Sequence, residues 1–131
     1  MSPPNWITHE VIHAIQAALL ARFGGASGVR DEGMLLSALE RPRNLFAYEQ
    51  APLFKIAAAN AYGIVKSRPF VDGNKRAGFM AAYTFLGANG QRFHATEEMV
   101  VLQTLALAAG DVDEAGYCRW LEDACAPAAQ A

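Results

Sequence analysis

Ser67-Arg68-Pro69-Phe70-Val71-Asp72-Gly73-Asn74-Lys75-Arg76 leads out of one predicted helix, through a tight loop, and into the next. Gly73 allows the backbone to turn where a side chain would clash, and Asn74 is a good residue for a helix N-cap. Lys75 and Arg76 then open a helix whose unpaired N–H groups point back into the loop, so two cations and a helix dipole converge on one small volume. By composition this is an anion-binding device suited to phosphate. Asp72 places a carboxylate in the same volume, where it can hold a hard divalent cation riding on nucleotide phosphates. A structural reading fits the same residues: an Asp72–Arg76 ion pair tying the loop to the helix.

The segments flanking the loop set the fold class. Upstream, Ala51-Pro52 puts proline at a helix start. Leu53, Ile56, Ala57, Ala59, Ala61, Tyr62, Ile64 and Val65 continue a helix so rich in small apolar residues that it must be buried nearly all round. This central helix, 52–66, ends at Lys66-Ser67 because Pro69 disfavours the α conformation at Arg68. Downstream, the helix opened by Lys75 carries Phe79, Met80, Tyr83, Phe85 and Leu86 to a stop at Ala88-Asn89-Gly90. The spacing of Phe79, Met80 and Tyr83 reads as core rather than as a base-stacking surface.

Farther out, Thr8 caps a helix with Val11, Ile12, Ile15, Leu19 and Phe23 on one face, stopped by Gly24-Gly25. His9 and His13 on that helix stand at metal-ligand spacing. With no Glu, Asp or Cys partner patterned around them, they read as structural or surface histidines. Asp31 caps a second helix through Met34, Leu35, Leu36, Ala38 and Leu39, ended by Pro42, and Arg30 and Asp31 read as helix-start charges rather than catalytic groups. The segment Arg43–Gln50 lies between two helices and fits either a flap over the site or aromatic cover for the core. Gln91–His94 is a short extended link, and nothing in its spacing places His94 as a displaced base. Thr96 caps a helix with Met99, Leu102, Leu105 and Ala106 as its inner stripe, ended by Gly110. Asp113 caps the last helix, with Tyr117, Trp120, Leu121 and Ala124 on one face before Pro127.

These patterns predict an all-α bundle of five to seven helices around a central buried helix. At 131 residues the chain reads as one domain, 1–131, with frayed ends near 1–6 and 126–131. A balance of 11 basic against 13 acidic residues gives a net charge of −2, so nothing global points to nucleic acid or an anionic membrane. Any anion site must be local. Cys118 and Cys125 fall on one predicted helix, about 10 Å apart along its axis, too far to bridge and therefore expected as reduced thiols. No basic stretch followed by an apolar one opens the chain, and no apolar run reaches the length of a membrane span, so a cytoplasmic location is expected.

Arg68-Pro69-Phe70-Val71-Asp72-Gly73-Asn74-Lys75-Arg76 resembles the signature of the Fic/Doc (Fido) superfamily, His-Pro-Phe-x-Asp-Gly-Asn-(Gly or Lys)-Arg, at eight of nine positions. Lys75 is similar to the Doc, or death-on-curing, branch of toxins from toxin–antitoxin pairs. Phe23-Gly24-Gly25, Gly28–Gly33, Ser37-Ala38-Leu39 and Asn44–Tyr48 resemble the upstream part of Doc-type toxins, so the likeness covers nearly the whole chain. The departure is at the first position. The family's histidine is a general base on the acceptor hydroxyl, and here it is Arg68, whose guanidinium stays protonated and has no lone pair to accept a proton.

The resemblance implies transfer from ATP to a protein hydroxyl. Gly73, Asn74, Lys75 and Arg76 would hold phosphates, Asp72 would hold Mg2+, and Phe70 would plug beneath the loop to fix its shape. Members with glycine at the Lys75 position generally transfer AMP. In the Doc-like branch the terminal phosphoryl group goes to a threonine of elongation factor Tu, which arrests translation. Arg68 implies a weakly active or inactive chain, with a nucleotide- or antitoxin-binding pseudo-enzyme as the alternative. The family's inhibitory pattern, Ser/Thr-x-x-x-Glu-Gly/Asn, is absent from the sequence, which implies inhibition in trans by a Phd-like antitoxin whose disordered tail folds on binding.

Overall fold

In the computed structural model, which describes residues 2–128, the order is α1 (His9–Phe23), α2 (Glu32–Glu49), α3 (Leu53–Ser67), α4 (Asn74–Ala88), β1 (Gln91–Phe93), α5 (Glu97–Ala109), α6 (Glu114–Asp123) and β2 (Cys125–Pro127). The fold is all-α apart from the two short strands. Four helices begin at the residues the sequence marks as caps: Thr8, Asp31, Thr96 and Asp113 each accept from a backbone N–H three residues on. Each such bond satisfies one of the donors a helix start leaves orphaned.

α3 is the buried axis. Ile56 to Ala61, together with Ile64 and Val65, are sequestered from solvent, and α2, α4 and α6 pack around them. Small residues set how closely they approach. A Cβ added at Gly63 would lie 3.2 Å from the Ala38 Cβ on α2, and one at Gly78 of α4 would lie 2.6 Å from Val65 Cγ2 and 3.0 Å from the Ala61 carbonyl. Side chains there would force the helices apart. α3 stops as expected at Ser67, and Arg68 takes up a left-handed conformation (φ 50, ψ 60).

Several expectations are corrected. α2 does not end at Pro42 but continues to Glu49 and closes at Gln50 in a left-handed conformation. The buried Pro42 ring lacks an N–H and so leaves the Ala38 carbonyl without its intrahelical bond; full burial of the ring offsets that loss. Arg43–Glu49 is therefore helix and not a flap, with Leu45 and Phe46 packed against the core and Tyr48 exposed. On α5, Thr104 and Leu107 face inward, whereas Leu102 and Leu105 are 59% and 48% exposed. Uniform apolarity along that helix hides which face is inner.

Gln91–Phe93 is a strand, antiparallel to Cys125–Pro127 in the register Gln91↔Pro127, Arg92↔Ala126 and Phe93↔Cys125. Cys125 thus lies beyond the helix that carries Cys118; both thiols are free, and burial raises the pKa of each. The expected fraying does not extend to residues 126–128, where pairing continues to an Ala128 N–H bond on the Gly90 carbonyl, while 129–131 lie outside the described residues. Nor does it hold at 5–6. Asn5 exchanges hydrogen bonds with Asn89 and Ala88, and Trp6 packs against Phe46 and Phe85. No described helix is long and apolar enough to cross a membrane.

Candidate functional site: the α3–α4 loop and its groove

The chain from Arg68 to Gly73 is fixed mainly through its backbone. The Arg30 guanidinium donates to two carbonyls, Nε to Arg68 O and Nη2 to Ser67 O, each at 2.7 Å. The Pro69 carbonyl accepts from the N–H groups of Arg30 (2.6 Å) and Asp31 (3.0 Å), and Val71 N–H donates to Gly28 O at 3.0 Å. Val29 and Phe70 form an antiparallel bridge. Arg30 is thus a structural clasp, and residues 28–31 form a short splint along the loop. Phe70 is buried in the core, its ring edge-on to His13 with centroids 6.1 Å apart.

Asn74 differs from its sequence reading. Gly73, at φ 77, occupies the N-cap position of α4, and Asn74 is the first helical residue. Its side chain turns back, Oδ1 accepting from Phe70 N and Nδ2 donating to Phe70 O, both at 2.9 Å. What Asn74 can offer a ligand is its backbone N–H. Because glycine is the cap, α4 has no side-chain capping bond, and its first-turn N–H groups face the loop.

The Asp72 carboxylate accepts from Gly73 N–H at 2.8 Å and from Ala26 N–H at 3.3 Å. A Cβ on Gly25 would fall 2.8 Å from Asp72 Oδ2, so only glycine lets the 24–26 turn come this close. Asp72 and Arg76 form no ion pair among the described residues. Arg76 stacks instead on Phe23, 4.4 Å from the ring centroid, and Arg22 lies 5.2 Å from the same ring. The structural alternative of an Asp72–Arg76 tie is overturned.

Asp72 to Arg76 form one end of a groove of about 960 Å³ whose walls include Phe23, Phe79, Tyr83, His94 and Leu105. Phe79, Met80 and Tyr83 line it, so they are not the core stripe of α4; Ala77, Gly78, Ala81, Ala82, Phe85 and Leu86 are. His94 shares the wall with the loop but shows no hydrogen bond to it.

Two features escape sequence reasoning. Gln16, buried on α1, donates from Nε2 to the Asp72 carbonyl at 2.8 Å, while its Oε1 has no partner. The available signal is a polar residue one turn after Ile12, on the buried stripe. Glu32 comes from α2 to His9 and His13, adding a carboxylate within reach of both rings that the sequence pattern lacks.

The structure so far defines a helical domain with a glycine-capped helix start, a carboxylate and two cations gathered on one loop between a buried axis and its partner helix. The family model described as Fic/DOC family matches residues 6–86, which include all of that loop, and the chain belongs to this family. It is similar to "Protein kinase doc" of Escherichia phage P1, 30% identical over 107 residues that cover 81% of this chain and 84% of that one. It is also similar to "Toxin Doc" of Mycolicibacterium smegmatis, 41% identical over 70 residues covering 52% of this chain. That second match spans about half of the mycobacterial protein, 54% of its length.

Proposed function

We propose that this chain is a Doc-like toxin that transfers the terminal phosphoryl group of ATP to a hydroxyl, a threonine of elongation factor Tu, and that Arg68 attenuates the transfer. The observation that carries this reading is the uncapped first turn of α4, set beside Lys75 and Arg76 in a groove large enough for a nucleotide. The chain's residues fit magnesium-bound ATP. Backbone N–H groups from Asn74 to Arg76 and the Lys75 ammonium would hold phosphates, joined by Arg76 once it leaves the Phe23 face. Both Asp72 oxygens hold hydrogen bonds that orient the carboxylate and leave lone pairs for a cation. Bound Mg2+ would neutralise phosphate charge. In phosphoryl transfer, positioning and charge neutralisation carry most of the rate.

Arg68 stands exposed at the C-cap of α3, with its carbonyl held by Arg30. It does not line the groove, and its guanidinium cannot take a proton from the acceptor. That supports a second reading, a pseudo-enzyme that keeps the nucleotide or an antitoxin. A Phd-like antitoxin, folding its tail along the exposed Phe23, Tyr83, Val101 and Leu105, is the partner both readings call for.

The test is label transfer to elongation factor Tu from ATP labelled at the γ or the α phosphorus, comparing the parent chain with Arg68→His. Restoring the histidine is expected to raise γ-label transfer by roughly 10²–10⁴, the usual contribution of a positioned base. Transfer of α label instead would replace phosphorylation by AMP transfer. Equal inactivity of both chains, with ATP bound, would leave the pseudo-enzyme reading.

A further inference from the structure

We infer that His9, His13 and Glu32 form a binding site for a divalent transition metal of the zinc class, which cross-links the first two turns of α1 to the first turn of α2. The sequence His9-Glu10-Val11-Ile12-His13 puts the two imidazoles one helical turn apart on the same face. Their rings stand edge to face with centroids 4.4 Å apart, and the two Nε2 atoms are 3.2 Å from each other. Glu32, the first residue of α2, brings Oε1 to 2.8 Å from His9 Nε2. One donor atom from each residue lies within 4.8 Å of the other two. Ligands around a tetrahedral zinc at about 2.0–2.2 Å sit roughly 3.3 Å apart, so the cluster needs only small side-chain adjustments to close on an ion.

Hydrogen bonding alone satisfies this cluster poorly. His9 Nε2 carries at most one proton, and it faces both the Glu32 carboxylate and the His13 nitrogen. If the proton goes to Glu32, the His13 contact lacks one of its own. If His13 donates, the His9 lone pair confronts the carboxylate. A cation resolves both contacts, because all three groups then present lone pairs to one centre. Two neutral imidazoles and one carboxylate suit zinc, with a fourth position left to water.

The role is binding and not hydrolysis. Glu10 occupies the position of the general base in the His-Glu-x-x-His pattern of zinc proteases. Its carboxylate stands exposed to solvent, and its own backbone N–H and the Thr8 hydroxyl hold its pKa below the usual range. None of the three ligands lines the groove of the signature loop. What the ion would fix is position: Arg30 and Asp31, just ahead of α2, hold the Pro69 carbonyl, and the His13 ring abuts Phe70.

The test is titration of the metal-free full chain with ZnCl2 by calorimetry and with CoCl2 by visible absorption. One equivalent is expected to bind, with the strong d–d bands of tetrahedral cobalt and a rise in Tm. Glu32→Gln and His13→Gln are each expected to weaken binding at least tenfold, and His94→Gln to leave it unchanged. Parent-like affinity in Glu32→Gln would reduce the site to an ordinary two-histidine chelate and overturn the inference. So would the absence of a one-equivalent endpoint, or loss of binding only on replacing Cys118 and Cys125. These outcomes bear on the metal alone; nucleotide binding by the signature loop is measured separately.

Discussion

Both amide atoms of Asn74 are committed to the backbone of Phe70, so this side chain shapes the loop rather than touching a ligand. Asn74→Ala leaves the Phe70 N–H and carbonyl, at a part-buried position, without their partners. The expected loss of stability is about 1–3 kcal/mol, read as a lower urea midpoint. Loosening of the loop should also weaken ATP binding, and Asn74→Asp, which keeps the acceptor but loses the donor, should fall between parent and Ala. An unchanged midpoint would show that the 28–31 splint holds the loop unaided. The sequence made clear that Asn74 belongs to a helix start beside a glycine. It did not reveal which way the side chain turns, because an N-cap and a backbone staple draw on the same residue preference.

Local chemistry accounts for why the helices were legible. Caps at Thr8, Asp31, Thr96 and Asp113 and stops at Gly24 and Gly110 depend only on neighbours in the chain, and all fall where expected. Pro42 misled because its cost is local whereas its compensation, burial of the ring on folding, is not. The same packing gives a sharp expectation for Gly78. In an exposed helix, Gly→Ala would stabilise by about 1 kcal/mol. Here the new methyl meets Val65 Cγ2 at 2.6 Å and the Ala61 carbonyl at 3.0 Å, and a carbonyl on a buried helix cannot yield as a side-chain tip can. Overpacking of about 1–3 kcal/mol therefore prevails, and Gly78→Ala should lower the urea midpoint. Gly87→Ala, with nothing within 4 Å of the added Cβ, should instead leave it unchanged or raise it. Ranking the two variants by denaturation checks whether the α3–α4 spacing is as tight as described.

The groove unites residues distant in sequence: Phe23 at the end of α1, Asp72 to Arg76 at the start of α4, His94 after β1 and Leu105 on α5. Only the signature loop was legible beforehand, because it is contiguous; Gln16 beneath it and Glu32 beside the histidines enter through folding. Tertiary packing also buries Tyr117, whose hydroxyl meets the Thr104 hydroxyl at 2.9 Å between α5 and α6. Burial, only partly opposed by that bond, pushes its pKa up to about 12 from 10.0. Below pH 10 both folded and unfolded chains keep the phenolic proton, and the contribution to stability is complete. As pH rises further, the unfolded chain releases the proton first, so stability is lost progressively until the folded pKa is passed. The full effect is up to roughly 3 kcal/mol. Lys55, whose pKa is raised by its bond to Glu49, titrates in the same direction, so the parent curve alone does not isolate the tyrosine. The difference between parent and Tyr117→Phe does. At neutral pH Tyr117→Phe should be less stable by about 1 kcal/mol, because the buried Thr104 hydroxyl loses its partner. Between pH 10 and 12 the parent should lose that advantage and fall below the variant in urea midpoint, and parallel curves would mean that Tyr117 ionises in the folded chain as it does in water.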